Sequence, residues 1–243
     1  MPEPARSESL FDLLVFDLDG TLVDSETDLA DAVNASLIAL KRQSLPHKQV
    51  VGYIGDGAAT LVSRALEASG GTDPKLAEGT LHRFIQYYRQ HLLDNTRPYS
   101  GVVEALQAIQ VYSPTTPMAV LTNKPVRPSR AICDGLDLSR FFFANYGGDS
   151  FPTKKPDPYG LRLVMAEAER LYGRAVDPAR TVMVGDSHVD VETARAAGVR
   201  SLGCLYGLSP QTLLASKPGA LAQTPADWLP QLRHLMASAT PSR

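Results

Sequence analysis

A chain of 243 residues is long enough for one large α/β domain, or for a core with a smaller companion. Apolar residues make up 44% and charged residues 21%, so there is enough apolar surface to build a core and no composition typical of a disordered chain. A formal net charge of −2 argues against a broad nucleic-acid surface, although a local basic pocket for a small anion remains compatible with it. No apolar run approaches the length that spans a bilayer.

Residues 1–10 are polar, carry Glu3 and Glu8, and lack the apolar stretch of a signal peptide. They read as a disordered lead-in, and residues 238–243 as a similar tail. The first apolar run, 13–16, reads as a buried strand. It runs straight into Asp17-Leu18-Asp19-Gly20-Thr21. Side chains two apart on an extended chain point the same way, so both carboxylates can face one crevice. Two like charges held close need a cation or a shared proton, which suggests a metal, an acid/base pair, or both. A plain surface turn is the alternative, because Asp and Gly favour turns.

From Leu22 to Arg97 no strand is evident. Helical patterns cover 27–40, 58–69 and 74–93, and residues 94–98 read as a linker. Strands and helices then alternate: helix 101–111, strand 118–121, helix 129–136, strand 142–145, helix 158–172, strand 181–184, helix 190–197 ending at Gly198, and strand 201–204. Trp228 and the leucines near it are expected to pack a C-terminal helix on the sheet. The predicted fold class is α/β, a doubly wound and mostly parallel sheet with a Rossmann-like core (11–21 and 98–236). A helical cap (22–97) is inserted after the first strand. Ligands of such sheets bind beyond the carboxyl ends of the strands.

The later strands end in polar residues. Strand 118–121 is followed by Thr122-Asn123-Lys124, where a hydroxyl and an amide could meet phosphate oxygens. Lys154-Lys155-Pro156-Asp157-Pro158 follows a Gly-Gly-Asp turn at 147–149. Strand 181–184 is followed by Gly185-Asp186-Ser187, with Asp190 one helical turn later. Each has a structural explanation on its own, as a helix cap or a solvated lysine pair. Together they place a carboxylate pair, a hydroxyl, a lysine and a further carboxylate pair at successive strand ends, an inventory suited to phosphoryl transfer with a divalent metal.

In order, DLDGT, LTNK, KKPDP and VGDSHVD resemble the four motifs of the haloacid dehalogenase superfamily of phosphatases, over residues 12–234. The segments 21–25 (TLVDS), 53–66 (YIGDGAATLVSRAL), 120–125, 147–158 and 205–209 (LYGLS) are most similar to bacterial phosphoglycolate phosphatases. The resemblance implies Asp17 as a nucleophile that becomes an aspartyl-phosphate, and Asp19 as the acid that protonates the leaving alkoxide and then the base that activates water. It implies Mg²⁺ as cofactor, held by Asp17, the Asp19 carbonyl and Asp186, with Asp190 supporting the site. Thr122, Asn123 and Lys155 are the implied phosphoryl-binding residues. Gly57, in the turn 55–57, would bring backbone near the substrate, and Arg64 would meet a substrate carboxylate or form a cap–core salt bridge. The implied substrate is a small anionic phosphate ester, 2-phosphoglycolate first among candidates, in a chain with no nucleic-acid or membrane partner.

Val189 stands where close relatives usually carry Asn, and Ser100 where Pro is common. His188 is read as a bystander because Asp19 already fills the base role. Three rival activities share this superfamily or its chemistry. A dehalogenase lacks an acid at the position of Asp19. A phosphonatase needs a cap lysine in an apolar setting, and Lys41, Lys48 and Lys75 have none. A phosphosugar mutase shares the nucleophile and is not separated by sequence. A non-enzymatic binding module is disfavoured by retention of every charged motif residue. Cys133 and Cys204 are expected to be buried free thiols in a reducing compartment, which fits a cytoplasmic chain.

Overall fold

The computed structural model describes residues 10–237, so the expectations for 1–9 and 238–243 lie outside the described residues. Six parallel strands form one sheet: β1 (Leu13–Phe16), β4 (Met118–Leu121), β5 (Ala144–Tyr146), β6 (Thr181–Gly185), β7 (Arg200–Cys204) and β8 (Ala220–Ala222). Their spatial order is β5-β4-β1-β6-β7-β8. Phe16 sits beside Val120 on one side and Val184 on the other. The chain therefore winds outward in both directions from β1, which makes the carboxyl end of β1 the switch point where a crevice opens.

Strand periodicity explains the two core layers. Leu14, Phe16, Met118, Val120, Val182 and Val184 belong to one apolar cluster, while Leu13, Val15, Ala119, Leu121 and Met183 belong to the other. Neighbours alternate between faces because successive side chains point to opposite sides. Both faces are covered, so each central strand is a continuous apolar run rather than an alternating one. Helices α5 (Val102–Tyr112), α6 (Val126–Gly135) and α10 (Trp228–Ala237) contribute to the first layer; α7 (Tyr159–Tyr172) and α8 (His188–Ala197) contribute to the second. Trp228 is fully buried with its ring 5.3 Å from that of Phe16, and truncating such a side chain costs roughly 3–5 kcal/mol. Cys133 and Cys204 are buried free thiols, as expected. No described helix is long and apolar enough to cross a membrane.

Between β1 and the rest of the core lie α1 (Glu26–Ala39), α2 (His47–Val51), α3 (Ala58–Ala68) and α4 (Pro74–Gln90). They enclose a third apolar cluster of their own, with Leu37, Val50, Leu66 and Phe84 buried in it. The start of α4 is set by Asp73, whose side chain accepts from Leu76 N, and by Pro74 in the first turn.

Several details differ from expectation. The interval 22–97 does contain strand: β2 (Val23–Asp24) pairs antiparallel with β3 (Arg97–Pro98), so the outgoing and returning chains zip together. Two-residue strands leave no periodic signal, and Pro98 has no N–H to offer a ladder. Residues 94–98 are thus not a free linker. The fifth strand begins at Ala144 rather than Phe142, because Phe141 closes a short 3₁₀ turn over Ser139–Phe141. Strand β8 and helices α2 and α9 (Pro210–Ser216) carried too little pattern to be foreseen.

Candidate active site

Asp17 follows β1, Thr122 follows β4, and Asp186 follows β6; these three strands are adjacent in the sheet. Their carboxyl ends bring together residues that lie far apart in the sequence. Lys155 arrives from the loop after β5, with its ammonium 3.0 Å from Asp17 Oδ1 and 2.6 Å from Asp190 Oδ1. Asp190 in turn accepts from the backbone N and the hydroxyl of Ser187 at 3.1 and 2.9 Å. It therefore caps α8 and fixes Lys155 at once.

Asp17, Asp186 and Asp190 each offer a carboxylate oxygen within 4.8 Å of the others. Burial pushes Asp17 up to about 6, opposed by Lys155 and assisted by Asp190 and Asp19. Burial also raises Asp186 well above the usual carboxylate range, with Asp190 and Asp17 adding repulsion. Lys155 stays above the ordinary lysine range despite burial, because Asp17 and Asp190 hold its charge. A buried set of oxygen donors with excess negative charge fits a hard divalent cation.

The surroundings are built to leave room for that set. A Cβ on Gly20, which has φ +83°, would lie 2.2 Å from an Asp186 oxygen. A Cβ on Gly207 would lie 2.3 Å from both the Asp186 Cβ and the Gly20 carbonyl. These close approaches require glycine. Next to it Leu208 N donates to Asp186 at 2.7 Å, and Tyr206 donates its hydroxyl to the Thr21 carbonyl at 2.8 Å. The 205–209 loop therefore braces Asp186 against the first motif.

Asp19 faces a different set of partners. Lys124 Nζ lies 2.8 Å and 2.9 Å from its two oxygens, and the Ser25 hydroxyl donates at 2.6 Å. Lys124 is buried, and its ammonium also sits 4.8 Å from the ring centre of Tyr88 on α4. Burial alone would lower its affinity for a proton, but Asp19 outweighs that and raises it. Neither Ser25 nor Lys124 was singled out from sequence. Both lie in segments that carried the family likeness, yet a buried lysine looks like a solvated one in a string of letters.

Asp17, Asp19, Thr122, Asn123 and Gly57 all line one cavity of about 310 Å³ between α3, α4 and the strand ends. Thr122 is buried and its hydroxyl accepts from Lys124 N at 3.2 Å. Two residues expected near the substrate have partners within the protein. The Asn123 amide nitrogen donates to the Gly55 carbonyl at 3.1 Å and to the Lys155 carbonyl at 3.0 Å, so one hydrogen ties the insert to the core, the other holds the loop that carries Lys155, and neither is free. Arg64 pairs with Asp56 at 2.7 Å and reaches the Tyr53 carbonyl; it braces the 55–57 turn from within the insert and does not line the cavity. That turn is also held by Lys154, which donates to the Asp56 carbonyl. His188 does not line the cavity, and Val189 is buried.

Known proteins resemble this chain in sequence and in fold. The model of the haloacid dehalogenase-like hydrolase family matches residues 11–198. A phosphoglycolate phosphatase of Neisseria meningitidis is 39% identical over 218 residues, covering 89% of this chain and 88% of that protein. One of Pseudomonas syringae pv. tomato is 40% identical over 212 residues, covering 86% of this chain and 75% of its own length. Among solved structures, a predicted phosphoglycolate phosphatase from Haemophilus somnus superimposes with a TM-score of 0.84 at 30% identity, covering 92% of this chain and 99% of that one. On the extent of the family match and of these identities, the chain belongs to the haloacid dehalogenase-like hydrolases.

Proposed function

We propose that this chain, a phosphoric monoester hydrolase, acts on a small anionic ester, 2-phosphoglycolate first, through an aspartyl-phosphate on Asp17. The observation that carries the reading is the meeting of Asp17 and Asp186, at the carboxyl ends of adjacent strands, with Lys155 from the loop after β5, and with Asp19 on the same cavity. The relatives of similar length named phosphoglycolate phosphatase support the choice of substrate.

In the first half-reaction an Asp17 oxygen attacks phosphorus, the bond to the ester oxygen breaks, and Asp19 supplies a proton to the departing alkoxide. In the second, Asp19 takes a proton from water as that water attacks the phosphorus. Inorganic phosphate leaves and the Asp17 carboxylate returns. Lys155 neutralises Asp17 and the transferring group, and Thr122 holds phosphoryl oxygens. Hydrolases of this family generally use a metal, and here Mg²⁺ would be held by Asp17 and Asp186 with the Asp19 carbonyl, supplying charge neutralisation between two anions. Asp190 acts by holding Lys155. We further propose that 22–97 is a cap over a core formed by 11–21 and 98–236, closing on the substrate about the paired β2 and β3 segments.

A panel of phosphate monoesters assayed with Mg²⁺, ranked by kcat/KM, tests this. The expected leader is 2-phosphoglycolate, with p-nitrophenyl phosphate also cleaved. A bulky sugar phosphate at the head would replace the substrate assignment and leave the core chemistry standing.

A further inference from the structure

The cavity beside Asp17 and Asp19 has lining residues that the chemistry above does not use. Part of its wall is apolar, formed by Leu29, Leu61, Phe84 and Ile85. Two arginines, both exposed, also line it, Arg89 on α4 of the insert and Arg127 on α6 of the core. Among the described residues neither has an ion pair or side-chain hydrogen bond. The other charges on the lining are already engaged. Asp17 pairs with Lys155, Asp19 with Lys124, and Asp149 accepts from Val126 N at 2.7 Å. The lining therefore carries two arginines without an ion pair, one from the insert and one from the core, while Asp149, its acid without an ion pair, is engaged by the Val126 N–H.

We propose that Arg89 and Arg127 together bind a carboxylate at the non-reacting end of the substrate. The proposal rests on the phosphomonoesterase reading above and replaces Arg64 as the expected partner of that carboxylate. A carboxylate brought against an apolar wall loses water and needs charged hydrogen-bond donors in return. Guanidinium forks match carboxylate geometry, so a bound anion can be held from both sides. Because one arginine sits on each body, the anion favours the state in which the insert and the core approach each other. An ester without a carboxylate gains nothing from either residue.

The experiment compares Arg89→Met, Arg127→Met and the double variant with the wild type. The substrates are 2-phosphoglycolate and ethyl phosphate, which has a similar size and no carboxylate. Each single variant is expected to lower the kcat/KM ratio of 2-phosphoglycolate to ethyl phosphate by ~10-fold, mainly through KM, and the double variant by more. Arg64→Met should move both substrates together, because it braces a turn. A ratio unchanged in both arginine variants, or lost in Arg64→Met alone, overturns the assignment. A binding arm separates this from failure of the hydrolase reading. Phosphonoacetate, which carries the same two anions and no cleavable ester, is titrated against ethylphosphonate. The wild type should prefer phosphonoacetate and the double variant should lose that preference, whatever the turnover. Equal affinities in the wild type sink the proposal even if p-nitrophenyl phosphate is hydrolysed.

Discussion

Lys124 Nζ contacts both carboxylate oxygens of Asp19, at 2.8 and 2.9 Å, with the lysine almost wholly buried. With Ser25 also on Oδ1, Oδ2 is the oxygen with the fewer partners and the one through which the proposed acid role would be exercised. The Ser25 hydroxyl and the Tyr88 ring complete the setting, so the Asp19 carboxylate is held from the core and the insert together. Lys124→Met is expected to lower kcat ~10-fold or more on an alkyl phosphate and less on p-nitrophenyl phosphate, whose leaving group scarcely needs a proton. Equal losses on both substrates would make Lys124 a folding residue only. Asp19→Asn should show the same asymmetry more strongly.

Asp17→Asn is expected to abolish both turnover and any phosphoenzyme. The amide keeps the shape but is no nucleophile and a poor ligand for a hard cation. Incubation with labelled substrate and acid quenching checks it. Label retained by the Asp17→Asn variant, free of contaminating phosphatase, would move the nucleophile elsewhere.

Activity should require Mg²⁺ and be inhibited by Ca²⁺. The clustered carboxylates carry more charge than Lys155 balances, and Ca²⁺ accepts more oxygens in looser geometry, which would occupy both oxygens of Asp17. Chelation followed by metal add-back, read as initial rate, decides. Undiminished turnover after thorough chelation would contradict the metal assignment.

Asp28 on α1 pins the returning chain. Its carboxylate accepts from Thr96 N and the Thr96 hydroxyl at 2.8 and 2.6 Å, and from Asn95 N and its amide at 3.0 and 2.9 Å. Burial alone would raise its pKa, but the hydrogen bonds from Thr96 and Asn95 overcome that and lower it below 3.8. A depressed folded value means the stabilisation is full above the unfolded value near 3.8 and is lost as pH falls through the folded value. Asp28→Ala should cost about 1–3 kcal/mol at neutral pH by stranding buried donors. Urea unfolding at neutral pH and at about pH 3 is the check, with a narrower gap between wild type and variant expected in acid. A gap that widens in acid would reverse the sign of the argument.

The strands 13–16 and 118–121 were legible to the residue, because a strand buried on both faces must be apolar throughout and stops where polar residues begin. The placement of polar residues at strand ends was legible too, since Asp17, Asp19, Thr122 and Asp186 each sit at or just past the end of a recognisable apolar run. Helix bounds came within a few residues for the same reason of periodicity. What the letters could not supply was the pairing of charges. Lys124 finds Asp19 across 105 positions, Asn123 finds Gly55 across 68, and Arg64 finds Asp56 instead of the cavity. The antiparallel join of Val23–Asp24 to Arg97–Pro98 is of the same kind. Local propensity acts over a few residues, whereas a side chain's partner is whatever the packed layers bring within hydrogen-bonding reach of it. Only the closed tertiary structure decides that.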